Sequence, residues 1–455
     1  MIDSDSAKQG LVSSSRREFI SGTTRAALAA GLANRAAIAE DASRTSGANE
    51  TINIGLIGCG GRGRSVMKNY FMTSPSVQVV GVCDVNEPRM AQAQMLAGGK
   101  KIRTYSDYRK LLDDKDIDAV IVATNDHWHV LPTIHACQAG KDVYLEKPVG
   151  TSVAEGRAAV EAARKYNRVV QVGLQQRSWD HYRRAAQIVQ SGALGEISEV
   201  KIWDNDYLYP GFGSPPDSEP PSGLNWDFWL GPAPKQPFNS NKIDRHYWFF
   251  DFGGGWQVNW GVHHYDVMHW FMGVTAPVSV TAAGGFYCYE QPCNTQWPDT
   301  FSAICEYGPG PIAKRGFVMQ YTFSGGSRRQ PDPACHGICF YGTKGSLLVH
   351  RGGFELRSEA VDGRKLGELI ESAKSENRQG PNHAAPFLEA IRTRTKPFAD
   401  IEAGHHSSIP GHLMNIAWKV GRKLQWNAAE EKIVDDEAAN ALLAREYRAP
   451  WKLEV

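Results

Sequence analysis

The feature that most narrows the possible folds is a glycine turn set between a strand and a helix. Ile52-Asn53-Ile54-Gly55-Leu56-Ile57 is followed directly by Gly58-Cys59-Gly60-Gly61-Arg62-Gly63. The first run is mostly apolar without clean alternation, as in a parallel strand buried on both faces. Gly58, Gly60 and Gly63 supply G-x-G-x-x-G: the first allows the tight turn, the second lets backbone approach a pyrophosphate, and the third lets the helix pack on the strand. Gly61 and Arg62 stand where that helix begins, and its free N–H groups and positive dipole end would face the pyrophosphate. A second strand, Val77–Cys83, ends on Asp84, twenty-one residues past Gly63. A carboxylate there can hold both ribose hydroxyls of NAD and would repel the 2′-phosphate of NADP, so NAD is the expected cofactor.

The chain then alternates strands and helices, as a doubly wound α/β sheet requires. Ser106–Leu112 reads as a capped helix, Ala119–Ala123 as a buried strand, and His135–Ala139 as helix ended by Gly140. Asp142–Leu145 is a strand that delivers Glu146-Lys147-Pro148 at its carboxyl end, where open α/β sheets bind ligands. Val153–Tyr166 reads as helix and Val169–Val172 as the last strand of a first domain spanning 51–175. Thr124, Asn125 and His129, just after the Ala119–Ala123 strand, are expected to border the cofactor.

From about Ser198 the pattern changes to recurrent strand-like runs: Val200–Trp203, Val278–Val280, Phe301–Ile304, Phe317–Tyr321, Ile338–Tyr341 and Ser346–Val349. They imply a second α/β domain, 176–455, built on a large, open, mainly antiparallel sheet. Its C-terminal segment is expected to pack back on the first domain, and its open sheet is a candidate face for a homo-oligomer. The long Pro-, Gly- and Trp-rich stretch Tyr209–Pro237 is expected to pack, given Trp226, Phe228 and Trp229.

With 455 residues, 50 Lys+Arg and 49 Asp+Glu, the chain is long enough for two domains and nearly neutral, with no basic tract to serve nucleic acid or an anionic membrane. Residues 1–39 read as a twin-arginine signal peptide: Ser15-Arg16-Arg17-Glu18-Phe19-Ile20, a weakly apolar run from Gly22 to Ala33 too short to span a bilayer, and the small-residue site Ala37-Ile38-Ala39. Residues 40–50 follow as a polar linker, and the mature protein is expected to be periplasmic or otherwise exported. In an oxidising compartment Cys288/Cys293 and Cys335/Cys339 can form disulfides, whereas Cys59, Cys83 and Cys137 fall in core pattern as buried thiols. No His/Cys cluster repeats at zinc spacing, so no metal is expected.

A second constellation lies at 252–270, where Gly253-Gly254-Gly255 precedes Asn259, Gly261, His263, His264, Asp266 and His269. Read as a helix from Asn259, it puts Asn259 and His263 on one face, and His263 and Asp266 one turn apart. His263 is the best general acid/base by its ordinary pKa, and Lys147 can donate to a reacting oxygen and stabilise developing alkoxide charge. Gln176, Arg177 and Tyr182, with Arg245, Trp248 and His264, are candidates to bond or stack on a carbohydrate or polyol substrate.

Together, Gly58-x-Gly60-x-x-Gly63, Asp84, Glu146-Lys147-Pro148 and Gly261-x-His263-x-x-Asp266 resemble the glucose–fructose oxidoreductase / inositol dehydrogenase (Gfo/Idh/MocA) family over essentially everything after residue 50. The resemblance implies a Rossmann domain, a second domain with an open sheet, and NAD(P)-dependent redox chemistry on a hydroxyl or ketone of a sugar, glycoside or polyol. It makes Lys147 the active-site lysine and His263 the active-site histidine. Asn259 departs from the pattern, since many relatives carry Asp four residues before this histidine; Asp266 is then the candidate orienting carboxylate. A glycosidase of the same fold that uses NAD without net oxidation, and a non-enzymatic sugar or nucleotide sensor, are the alternative functions.

Overall fold

The computed structural model describes residues 51–290, 293–329, 334–375 and 382–455; the expected signal peptide and linker lie outside the described residues. β1 (Ile52–Ile57), β2 (Val77–Cys83), β3 (Arg103–Tyr105), β4 (Ala119–Val122), β5 (Asp142–Leu145) and β6 (Val170–Val172) form one parallel sheet in the order β3-β2-β1-β4-β5-β6. Helices cover both faces, so β4 and β5 are buried at every position and read as continuous apolar runs. Strand order reverses between β1 and β4, and a crevice opens there at the carboxyl ends.

The second sheet has ten strands: β7 (Ile197–Asp204), β8 (Ser279–Gly285), β9 (Thr300–Tyr307), β10 (Phe317–Ser324), β11 (His336–Gly342), β12 (Gly345–His350), β13 (Gly353–Ser358), β14 (Leu369–Lys374), β15 (Leu424–Asn427) and β16 (Lys432–Ile433). Their order is β14-β13-β12-β11-β7-β10-β9-β8-β15-β16, antiparallel except for the pair β7/β10. β9 and β10 alternate buried and more exposed residues, the mark of a sheet covered on one face only. The covered face packs under the helices Asp180–Gln190, Gly261–Met272 and Ile401–Val420. β13, β14 and β15 escape the sequence reading because they lie toward the sheet's edges; β14, for instance, has no buried residue to set a pattern.

The helix Ile401–Val420 holds the two sheets together. It packs on the helix Val153–Lys165 and on β6, while Arg164 of the first domain bonds the capping carboxylate Asp400. The C-terminal segment also returns to the first domain, where Trp451 stacks on Phe228 and meets the edge of Trp128 with ring centroids 4.8 Å apart. The stretch 209–237 has little regular structure but packs, with Trp226 and Trp229 stacked at 4.6 Å. Its residues Gly223–Asn225 run beside the end of β2, where Glu87 N–H donates to the Gly223 carbonyl and Asn225 N–H to that of Val85. No disulfide joins Cys288 to Cys293 or Cys335 to Cys339. Among the described residues no helix is long and apolar enough to cross a membrane.

Candidate active site

The glycine turn has the strict geometry its sequence implies. Gly58 has φ +94°, and a Cβ there would stand 2.5 Å from the Ala123 carbonyl oxygen. A Cβ on Gly63 would be 2.0 Å from the Gly58 oxygen, so the helix Gly61–Val66 can seat on the turn only with glycine. Gly60 and Gly61, by contrast, face open space. Here a pyrophosphate can reach backbone N–H groups. Asp84 lines the same cleft and ties it together: its carboxylate accepts from Cys59 N–H at 2.6 Å and from Asn86 N–H at 2.8 Å. Burial raises its pKa, against the pull of those two N–H donors.

Arg62, Thr124 and Asn125 also line the cleft, and Tyr108, Phe228 and Trp229 give it aromatic walls wide of the glycine turn. The donor set, the open glycines and the strand-end carboxylate fit a dinucleotide. His129 turns away from this space. Its ring nitrogens lie 2.7 Å from the Pro148 carbonyl and 3.2 Å from that of Thr124, so it braces the Lys147–Pro148 turn instead of lining the cofactor site. Glu146 is buried and paired to Arg62 at 2.7 Å, a link from the first strand-end turn to the fifth.

Lys147 stands at the carboxyl end of β5 and donates to the backbone carbonyl of Asn259 at 2.9 Å. Burial lowers its pKa, while Asp126 and Glu146 oppose that. Asn259 ends the short helix Trp256–Asn259, Trp260 makes the joint, and the helix Gly261–Met272 carries His263 one turn further. The imidazole of His263 is buried, its Nδ1 has no hydrogen-bond partner, and burial, then the charges of Arg351 and Lys147, push its pKa well below the usual histidine range. A neutral imidazole thus lies within electrostatic reach of an ammonium group. Asn259 contributes its backbone to this arrangement; no hydrogen bond joins its amide to His263.

Other expected site residues are placed elsewhere. Asp266 does not orient His263: it is buried against Arg177, whose Nε donates to both carboxylate oxygens at 2.9 Å, and it accepts from Ser407 Oγ at 3.0 Å. Arg177 is therefore a structural partner rather than a sugar ligand. Trp248 is fully buried among Phe212, Trp256 and Phe323, in the core and not on a binding surface. His264 is buried 2.8 Å from Asp204 and stacks on Trp260. Arg245 lies over the ring of Phe212, and Gln176 donates to the hydroxyl of the buried Tyr182. His246, in sequence a sugar-binding candidate beside Arg245, and Asp126, in sequence a helix cap, are brought together: Asp126, one strand-end turn from Lys147, bonds His246 at 3.1 Å, and His246 lines the cleft. Burial acts against the charge of Asp126, but the His246 bond, His129 and Lys147 outweigh it and hold its carboxyl at about 2.

Several further histidines are buried in neutral form. Burial lowers His127, His269 and His336 to about 3, and His383 and His412 to about 4. Because these groups take up protons near pH 6.5 only when unfolded, stability falls as pH drops below 6.5 and continues to fall toward 4. The Tm of the protein should therefore decline steadily between pH 7 and pH 4.5 in calorimetry; a flat Tm over that range would contradict this burial.

The fold and the cleft define a two-domain dinucleotide-binding protein with an amine at a strand end and an imidazole on a helix of the second domain. Residues 52–174 match the family described as "Oxidoreductase family, NAD-binding Rossmann fold", and residues 181–287 and 369–453 its C-terminal alpha/beta domain. The chain belongs to the Gfo/Idh/MocA oxidoreductase family, and NAD is the cofactor of its Rossmann domain. It is 32% identical over 147 residues to an inositol 2-dehydrogenase of Salmonella typhimurium, which is 32% of this chain and 44% of that protein. It is 34% identical over 158 residues to a glycosyl hydrolase family 109 protein of Saccharopolyspora erythraea, covering 33% of this chain and 34% of that one. The matches thus span less than half the length of these curated relatives. A solved levoglucosan dehydrogenase in complex with NADH and levoglucosan shares the fold, with TM-score 0.64 and 18% identity over 83% of this chain and 99% of that chain.

Proposed function

We propose that the protein transfers a hydride between NAD and a hydroxyl or ketone of a sugar, glycoside or polyol. The observation that carries this reading is that Lys147, at the carboxyl end of β5, is bonded to the Asn259 carbonyl and acts by its charge on His263 of the next helix, while the neighbouring strand ends form a cleft built for a dinucleotide. NAD, when bound, exchanges the hydride with the substrate carbon. Lys147 holds the substrate oxygen and stabilises negative charge on it, and His263, neutral in the cleft, accepts or returns the hydroxyl proton. Glu146 and Arg62 keep the Lys147 turn in register with the glycine turn. Asp84 supports a preference for NAD over NADP, since a 2′-phosphate would meet its carboxylate. The twin-arginine sequence supports export of the folded, NAD-loaded protein, and the uncovered face of the ten-stranded sheet supports a homo-oligomer.

Following absorbance at the NADH band across a panel of sugars, glycosides and polyols, with NAD and NADP in parallel, tests this reading. NAD reduction by at least one polyhydroxylated substrate is expected, with a smaller or no response to NADP; no response to any panel member would overturn it. A second reading, a glycosidase that oxidises and re-reduces its substrate, is favoured by the likeness to the family 109 glycosyl hydrolase. Release of nitrophenol from aryl glycosides with no net NADH would select it.

A further inference from the structure

The turn between β12 and β13 carries Arg351, which no motif in the sequence singles out. Its guanidinium lies 4.2 Å from the ring centroid of Trp260, the joint between the helix whose carbonyl holds Lys147 and the helix that carries His263. Its Nε is sealed from water with no hydrogen-bond partner. A half-buried guanidinium with a sealed, unpartnered Nε is suited to end on a carboxylate or phosphate, which would satisfy that donor and offset the fixed charge.

The neighbouring carboxylates do not pair with Arg351. Glu146 is paired to Arg62 at 2.7 Å and Asp126 to His246 at 3.1 Å; Asp204, whose charge reaches Arg351, lies 2.8 Å from His264 with neither oxygen hydrogen-bonded. Among the described residues none lies within ion-pair distance of Arg351. Among the described residues Lys147 too has only a backbone carbonyl as its hydrogen-bonding partner. Two cations, Lys147 and Arg351, thus lie within electrostatic reach of each other and of His263, and the charge of Arg351 adds to burial in pushing both Lys147 and His263 toward their neutral forms. An oxidised nicotinamide ring would bring a third positive charge.

We propose that the substrate is a sugar acid, a uronate or aldonate, whose carboxylate pairs with Arg351 while one of its hydroxyls meets Lys147 and His263. The proposal rests on the oxidoreductase reading above and narrows its substrate class from any polyol to an anionic one. Bidentate pairing suits the planar fork of arginine, and the anion would neutralise the excess charge of the cleft.

The test offers the full-length, NAD-loaded protein matched pairs: D-glucose with D-glucuronate, D-galactose with D-galacturonate, and D-glucitol with D-gluconate. NADH formation and calorimetric affinity are measured for the wild type and for Arg351→Met and Arg351→Lys. The acid members should be preferred by about 10- to 100-fold in kcat/KM and in affinity, the span of one charge-assisted pair. Arg351→Met should lose that preference, mainly through KM, with NAD affinity unchanged, and Arg351→Lys should keep part of it. If Arg351→Met fails to fold, the wild-type comparison and the lysine variant decide. Equal or better turnover of neutral members by the wild type would overturn the proposal and leave the oxidoreductase reading standing. Loss of NAD affinity in Arg351→Met with the sugar preference intact would assign the guanidinium to the cofactor's phosphates and also overturn it. No NADH from any member, with NAD bound, would remove the oxidoreductase reading and this proposal with it.

Discussion

Replacing Lys147 by alanine should lower kcat/KM by about 100- to 1000-fold while NAD affinity changes less than about threefold. The ammonium group is held by one bond to the Asn259 carbonyl and lies near a neutral imidazole, so its remaining N–H groups can donate to a reacting oxygen. Its removal leaves the glycine turn, Asp84 and the aromatic walls intact, because none of these hydrogen-bonds to it. The loss should fall on kcat more than on KM, since charge on the substrate oxygen develops in the transition state. Burial already lowers the lysine's pKa, so Lys147→Arg, with a charge that cannot be shed and a larger head, should not restore the rate. Fluorescence titration with NAD and steady-state kinetics on the best panel substrate provide both measurements; unchanged kcat in the alanine variant would remove Lys147 from the reaction.

The parts of the site legible in the sequence are those that backbone geometry imposes locally. Gly58 and Gly63 are fixed by contacts within a few residues or with the neighbouring strand, and Asp84 and Lys147 by their places at strand ends, so a motif can announce them. Arg351 reaches Trp260, and His246 reaches Asp126 and the cleft, only through the crossing of two sheets and a long irregular stretch, which no local pattern encodes. Trp248 shows the opposite failure. An aromatic run beside polar residues reads equally well as a stacking platform or as core, and only the packing of Phe212, Trp256 and Phe323 around it decides for core. Asp266 was misassigned for an electrostatic reason: one turn from His263 it could serve the imidazole, but a guanidinium on the neighbouring 3-10 turn Gln175–Ser178 offers a full charge and two donors.

That pairing makes Asp266→Ala the most destabilising single change expected here. Asp266 is 1% exposed and accepts from Arg177 through both oxygens and from Ser407. Removing it strands a guanidinium whose remaining contacts are the Phe398 carbonyl and the rings of Trp270 and Phe398. Breaking a buried pair from one side costs about 3–5 kcal/mol, because the charge left behind has lost both water and partner. In a chain of this size that should lower Tm by several degrees in calorimetry, and Asp266→Asn, which can still accept from Arg177, should lower it less. The double variant Asp266→Leu with Arg177→Met should recover much of the loss, since replacing both members of a buried pair by apolar groups of similar volume is often near neutral. The folded fraction of Asp266→Asn should keep a kcat within a few-fold of the wild type, because the carboxylate serves Arg177 and not His263. A large fall in kcat without a fall in Tm would instead place Asp266 in the proton path.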